Sequence, residues 1–77
     1  MPTKGDLRVW WIRNPPSPAE HIPVINIGEA KMQLKLLADI DLGNSDIICN
    51  AGGLVVFDGT EWEDWYDEDG RSIDETP

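Results

Sequence analysis

Apolar and polar positions alternate from Leu7 to Ile12 (LRVWWI), which puts Leu7, Val9 and Trp11 on one side and Arg8, Trp10 and Ile12 on the other. This is the period-two signature of a β-strand. Pro15, Pro16 and Pro18 follow, and their missing N–H donors end any ladder there. HIPVINI then resumes an extended pattern, with Pro23 pointing to an edge strand or to a strand that begins after it. From Asn26 the period changes. Asn26 with Glu29 three residues on has the geometry of a helix N-cap and its capping-box partner, although Asn stands where Ser or Thr is usual. A helix is predicted from about Gly28 to Ile40, with Ile27, Ala30, Leu34, Leu37 and Ala38 forming one apolar stripe for a sheet to cover. Met32, Leu36 and Ile40 form a second stripe on the opposite side, which suits either contact with another chain or ordinary scattered surface residues. Leu42-Gly43 closes the helix in the manner of a glycine C-cap.

Beyond the helix, Asp46–Asn50 (DIICN) is a short strand candidate, Ala51-Gly52-Gly53 reads as a turn, and Leu54–Phe57 reads as another strand. Asp58-Gly59 is a strong hairpin signal and predicts a final strand from about Glu61 to Tyr66 paired with Leu54–Phe57. Acids, Gly70 and the terminal Pro77 then suggest a solvated tail. The predicted architecture is α+β: an antiparallel sheet of four or five strands with one helix packed on a face. Residues 1–66 form the single domain of that reading, and 67–77 the acidic, flexible tail.

Length sharpens this picture. Of 77 residues, roughly 60 to 65 remain for a core once the ends are set aside, near the size at which a single core becomes marginal. Cys49 is the only cysteine, so no intrachain disulfide can staple the fold, and no Cys/His cluster has metal-ligand spacing. Oligomerisation is the remaining common remedy. The single cysteine, with no apolar signal core and no membrane-length run, points to a cytoplasmic protein without a membrane partner. Charge is two-sided: residues 1–35 sum to +2 and residues 36–77 to −11, within a net −9. The acidic half argues against duplex nucleic acid, whose affinity grows with neutralising Lys and Arg, and favours a basic protein surface.

Catalysis has little support. His21 is the only histidine, and Cys49, among Ile47, Ile48 and Asn50, reads as a small buried hydrophobe. Asp67, Asp69 and Gly70 fit the third, fifth and sixth positions of a calcium-binding EF-hand loop, but Trp65 and Thr76 then occupy the first and twelfth, which require carboxylates. Gly52-Gly53 is too short for a phosphate cradle. No cofactor and no catalytic residue is expected.

Binding is better signalled. Four tryptophans are many for this size, and adjacent Trp10 and Trp11 must point to opposite faces of their strand. Arg8, Trp10 and Arg13 combine guanidinium groups for a phosphate with an indole platform for a base; Trp65, placed with Glu61 and Glu63, joins them as a ligand-binding candidate. A salt bridge from Arg8 to Glu61 or Glu63 is the structural alternative. Asp64, Asp67 and Asp69 are the candidates for contact with a protein.

LRVWWI near the start, EAK with an LLAD-containing helix, then NAGGL, VF and EWEDWYDEDG resemble, in order and spacing over most of residues 7–70, a group of small phage and prophage accessory proteins with LRVWWIP, GGLxxF and EWxDWYDE-type segments. The chain departs from that pattern at Arg13-Asn14, where Pro-Gln is common, and in a shorter Leu42–Cys49 connection. The resemblance implies an anti-defence role in the cytoplasm of an infected bacterium. One form is a noncatalytic homo-oligomeric sponge, similar to anti-Thoeris sponge proteins, that sequesters a cyclic nucleotide or cyclic ADP-ribose-type signal. The other is an acidic inhibitor, a nucleic-acid mimic in one version, that occludes a basic host defence protein.

Overall fold

The fold is built around β1 (Leu7–Arg13), which pairs antiparallel with β2 (Glu20–Val24) on one side and with β3 (Asn50–Phe57) on the other; β3 pairs in turn with β4 (Trp62–Asp64). The computed structural model describes residues 1–76. Its sheet has the order β2-β1-β3-β4, and one helix, α1 (Ile27–Leu42), lies across one face, so the α+β expectation holds with four strands. Opposed residues in an antiparallel pair share a face. Val9, opposite Ile22 and Leu54, therefore looks toward α1 with Leu7 and Trp11, where these residues meet Ala30, Leu37, Val24 and Ile73 in the core. Each fully buried aliphatic side chain of this set contributes roughly 1.5–3 kcal/mol.

The helix starts as its sequence signals. Asn26 is extended (φ −158°), and its Oδ1 accepts the Glu29 N–H at 2.8 Å. It ends two residues later than predicted, because Asp41 is tied to the sheet. Gly43 caps it with a right-handed φ of −83° and donates to the Ile40 carbonyl at 3.2 Å, so the stop does not draw on glycine's left-handed freedom.

Two expectations are corrected. Asp46–Cys49 is not a strand, and Ala51-Gly52-Gly53 is not a turn: β3 begins at Asn50 and runs straight through both glycines. The reason is cross-strand packing. Trp10 faces Gly53 and Trp11 faces Gly52, and a Cβ on Gly53 would sit 2.6 Å from Trp10 Nε1 while one on Gly52 would sit 2.6 Å from Trp11 Cζ3. Adjacent indoles on β1 occupy, on opposite faces, the space that side chains on β3 would need. The segment before β3 is instead a loop fastened to the end of β1 by Asn14. Asn14 Oδ1 accepts the Ile48 N–H at 2.8 Å, its Nδ2 donates to the Asp46 carbonyl at 3.0 Å, and its φ of 50° is a left-handed conformation that Asn tolerates. The two departures from the resembled pattern are thus in contact with one another.

The Asp58-Gly59 hairpin forms as predicted. Asp58 Oδ1 accepts the N–H groups of Thr60 (2.7 Å) and Glu61 (2.8 Å), and Gly59 has φ 109°. Strand β4 is shorter than the expected Glu61–Tyr66. The segment from Asp67 onward differs more: Arg71 folds over Asp67, a 3-10 turn spans Ile73–Glu75, and Ile73 is 5% exposed in the core. One aliphatic residue among acids suffices to dock it; Pro77, the end of the predicted tail, lies outside the described residues.

Candidate ligand site on the open sheet face

The face of the sheet turned away from α1 carries Arg8, Trp10, Val55 and Asp64, since Arg8 lies opposite both Pro23 and Val55, and Val55 opposite Asp64. Trp62 reaches over this face from β4. Its ring packs edge-on to Phe57 at 5.3 Å between centroids, and the Arg8 guanidinium carbon lies 4.2 Å from the Trp62 ring centroid. This cation–π contact holds Arg8 over the indole instead of the expected bridge to Glu61 or Glu63. Arg8 Nε is buried with no hydrogen-bond partner among the described residues. A buried, unpaired donor on a charged group is costly, and here the Trp62 ring is the group packed against it. Beside it lies a cavity of about 350 Å³ walled by Arg8, Trp62, Pro23, Pro2 and Asp6, with Leu7 and Val24 at its base.

Arg13 does not belong to this site. It lies on the α1 side of β1, where its Nε donates to Asp41 Oδ1 at 2.7 Å and its NH1 to Glu20 at 2.8 Å. Asp41, 4% exposed, also accepts Trp11 Nε1 at 2.9 Å and Asn50 Nδ2 at 3.1 Å. Burial pushes the Asp41 carboxyl up, but the Arg13, Trp11 and Asn50 hydrogen bonds outweigh it together and hold the group below the ordinary carboxylate range. The grouping of Arg8, Trp10 and Arg13 is therefore corrected: positions 8 and 13 have opposite parity on one strand, so the arginines point apart. Strand alternation already contained that signal. Asp41 and Asn50 were missed because a carboxylate at the end of an amphipathic helix carries no mark of the partner it will meet.

Trp65 does share a cavity with Trp10. Where β4 stops, Trp10, Asp64, Trp65, Tyr66 and Ser72 surround a second cavity of about 160 Å³ floored by Leu54 and Ile73. Of the acidic candidates, Asp67 and Asp69 both hold Arg71, at 2.9 Å each, and Asp67 is drawn below the usual carboxylate range first by the Arg71 backbone N–H. The Asp64 carboxylate accepts no hydrogen bond from a described residue. His21 is exposed opposite Trp10 on edge strand β2, and Cys49, expected to be buried, is exposed in the loop before β3.

Among the described residues no group of three His, Cys, Asp or Glu side chains is placed to hold a metal ion, and no helix is long and apolar enough to cross a membrane. Comparisons with protein-family models, with curated proteins and with solved structures gave no match.

Proposed function

We propose that the protein is a noncatalytic binder that sequesters a small nucleotide-type anion at Arg8 and Trp62. The observation that carries this reading is the Arg8 guanidinium, backed by the Trp62 ring and lining a ligand-sized cavity. A phosphate pairs with the Arg8 guanidinium, and a base or ribose packs on Trp62 and Pro23. In the setting implied by the resemblance to phage accessory proteins, the ligand is a cyclic nucleotide or cyclic ADP-ribose-type immune signal in the cytoplasm of the infected host. Calorimetric titration with these ligands tests the reading: binding that Arg8→Gln abolishes supports it, and no heat from folded protein rejects it.

Self-association accompanies this reading. Met32, Leu36 and Ile40 are 74%, 52% and 54% exposed in one row on α1. The charged residues lining the hollow beside Met32 and Leu36, namely Glu29, Lys35 and Asp39, sum to only −1 on a chain of net −9. A second copy meets less repulsion on this face than elsewhere. Light scattering checks it, with Leu36→Glu expected to yield the monomer.

A second reading has its own observation. Ile73 anchors the acidic segment to the core, so the carboxylates from Asp58 to Glu75 form a shaped surface able to occlude a basic defence protein. Salt separates the two. Screening weakens capture of a basic partner, and it speeds association of an anion with a protein of net −9.

A further inference from the structure

The cavity at the end of β4 has a chemistry opposite to that of the Arg8 site. Its walls are Trp10, Trp65 and Tyr66, three aromatic side chains whose electron-rich faces attract cations, together with the Asp64 carboxylate. None of these four groups is committed elsewhere: among the described residues Asp64 accepts no side-chain hydrogen bond, and the Trp10 N–H, Trp65 N–H and Tyr66 hydroxyl donate none, whereas Trp11 is bound to Asp41. Trp10 packs over Gly53, Trp65 is held by its backbone N–H on the Leu54 carbonyl at 3.0 Å, and Ile73 lines the cavity from the core. The half of the chain that supplies all but Trp10 carries −11, so the local field draws in a cation and repels an anion.

We infer that this cavity is a receptor for an alkylammonium cation, the group that a lysine side chain carries. Its volume of about 160 Å³ holds about five water-sized groups at ~30 Å³ each, which matches the end of a lysine side chain or a small quaternary ammonium ion and excludes a whole nucleotide. Aromatic faces surround the methylenes and the charge, and Asp64 accepts from or faces the cationic head. The Arg8 site and this one are independent, so either can fail alone.

The test follows the indole N–H resonances by ¹H–¹⁵N NMR in the intact protein at fixed ionic strength. The probes are an acetylated lysine peptide, the same peptide with neutral Nε-acetyl-lysine, tetramethylammonium chloride, and sodium chloride as the salt control. The expected result is a saturable shift of the Trp10 and Trp65 signals with the lysine peptide or tetramethylammonium, none with acetyl-lysine or sodium, and a still Trp11 signal. Response to the peptide assigns the cation to a protein partner; response to tetramethylammonium alone assigns it to a free small molecule. Asp64→Asn should weaken binding roughly three- to fivefold, with the unshifted Trp11 signal showing that the fold is intact. An equal response to acetyl-lysine, or no movement of Trp10 and Trp65 with either cation, overturns the inference.

Discussion

Replacing each of the two adjacent glycines of β3 by alanine should have unequal effects, because the indole above each one differs in its freedom to move. At position 52 a Cβ would lie 2.6 Å from Trp11 Cζ3 and 3.2 Å from the Trp10 carbonyl oxygen. Trp11 is 6% exposed and tethered through its N–H to Asp41 at 2.9 Å, so neither ring nor backbone can yield cheaply. Overpacking of this kind costs about 2–3 kcal/mol, offset by about 0.5–1 kcal/mol from the lower backbone entropy of alanine. The net loss for Gly52→Ala is about 1–2.5 kcal/mol. At position 53 the Cβ meets Trp10 Nε1 at 2.6 Å and Cε2 at 2.9 Å, but Trp10 is only half-buried on the open face and can pivot. Its overpacking cost of about 1 kcal/mol is nearly cancelled by the same entropic gain. Urea denaturation followed by tryptophan fluorescence reads both, and an unchanged slope shows that only stability moved. In a double-mutant cycle Trp11→Phe should relieve Gly52→Ala and leave Gly53→Ala as it was. Equal losses at the two positions, or a larger one at 53, would refute the account of β3.

Asp41→Asn should flatten the acid limb of the stability curve. The folded-state pKa is depressed, so the stabilisation is fully present above the unfolded value near about 4 and is lost as pH falls through the folded value. Asp58, Asp67 and Asp74 are also lowered, so thermal melts of the variant should keep part of the acid dependence; an unchanged profile would remove Asp41 from it. Ile73→Ala should cost about 2–4 kcal/mol in urea denaturation, whereas a solvated tail predicts no change. Asn14→Ala should speed hydrogen exchange at the Ile48 and Cys49 amides, whose N–H groups it binds at 2.8 and 3.3 Å, and leave the Val9 amide protected.

Local rules were enough for the parts of the fold that local chemistry determines. Strand β1, the Asn26 cap, the helix stripe and the Asp58-Gly59 turn each depend on residues within a few positions of one another, and each could be read from the sequence. What could not be read was cross-strand. A glycine pair means a turn unless two indoles lie over it, and that depends on the register of β1 with β3, which no short window contains. Ile73 was hidden for a related reason: a single apolar residue among acids has no period to reveal it. At the candidate site, alternation alone places Arg8 and Trp10 on the face opposite Val9 and Trp11. Trp62 carries no such mark, since its approach to Arg8 crosses β3, and the parity of Arg13, not its charge, decides its face.

If Arg8 is the anion receptor proposed above, the Arg8 guanidinium resonances report ligand binding directly. Titration with a cyclic nucleotide or a cyclic ADP-ribose-type ligand should shift those signals, slow their exchange with solvent, and move the Trp62 indole signal over the same concentration range. A ligand that binds while all of these signals stay in place, or a set of such ligands that leaves them unmoved in the folded protein, would contradict the proposal.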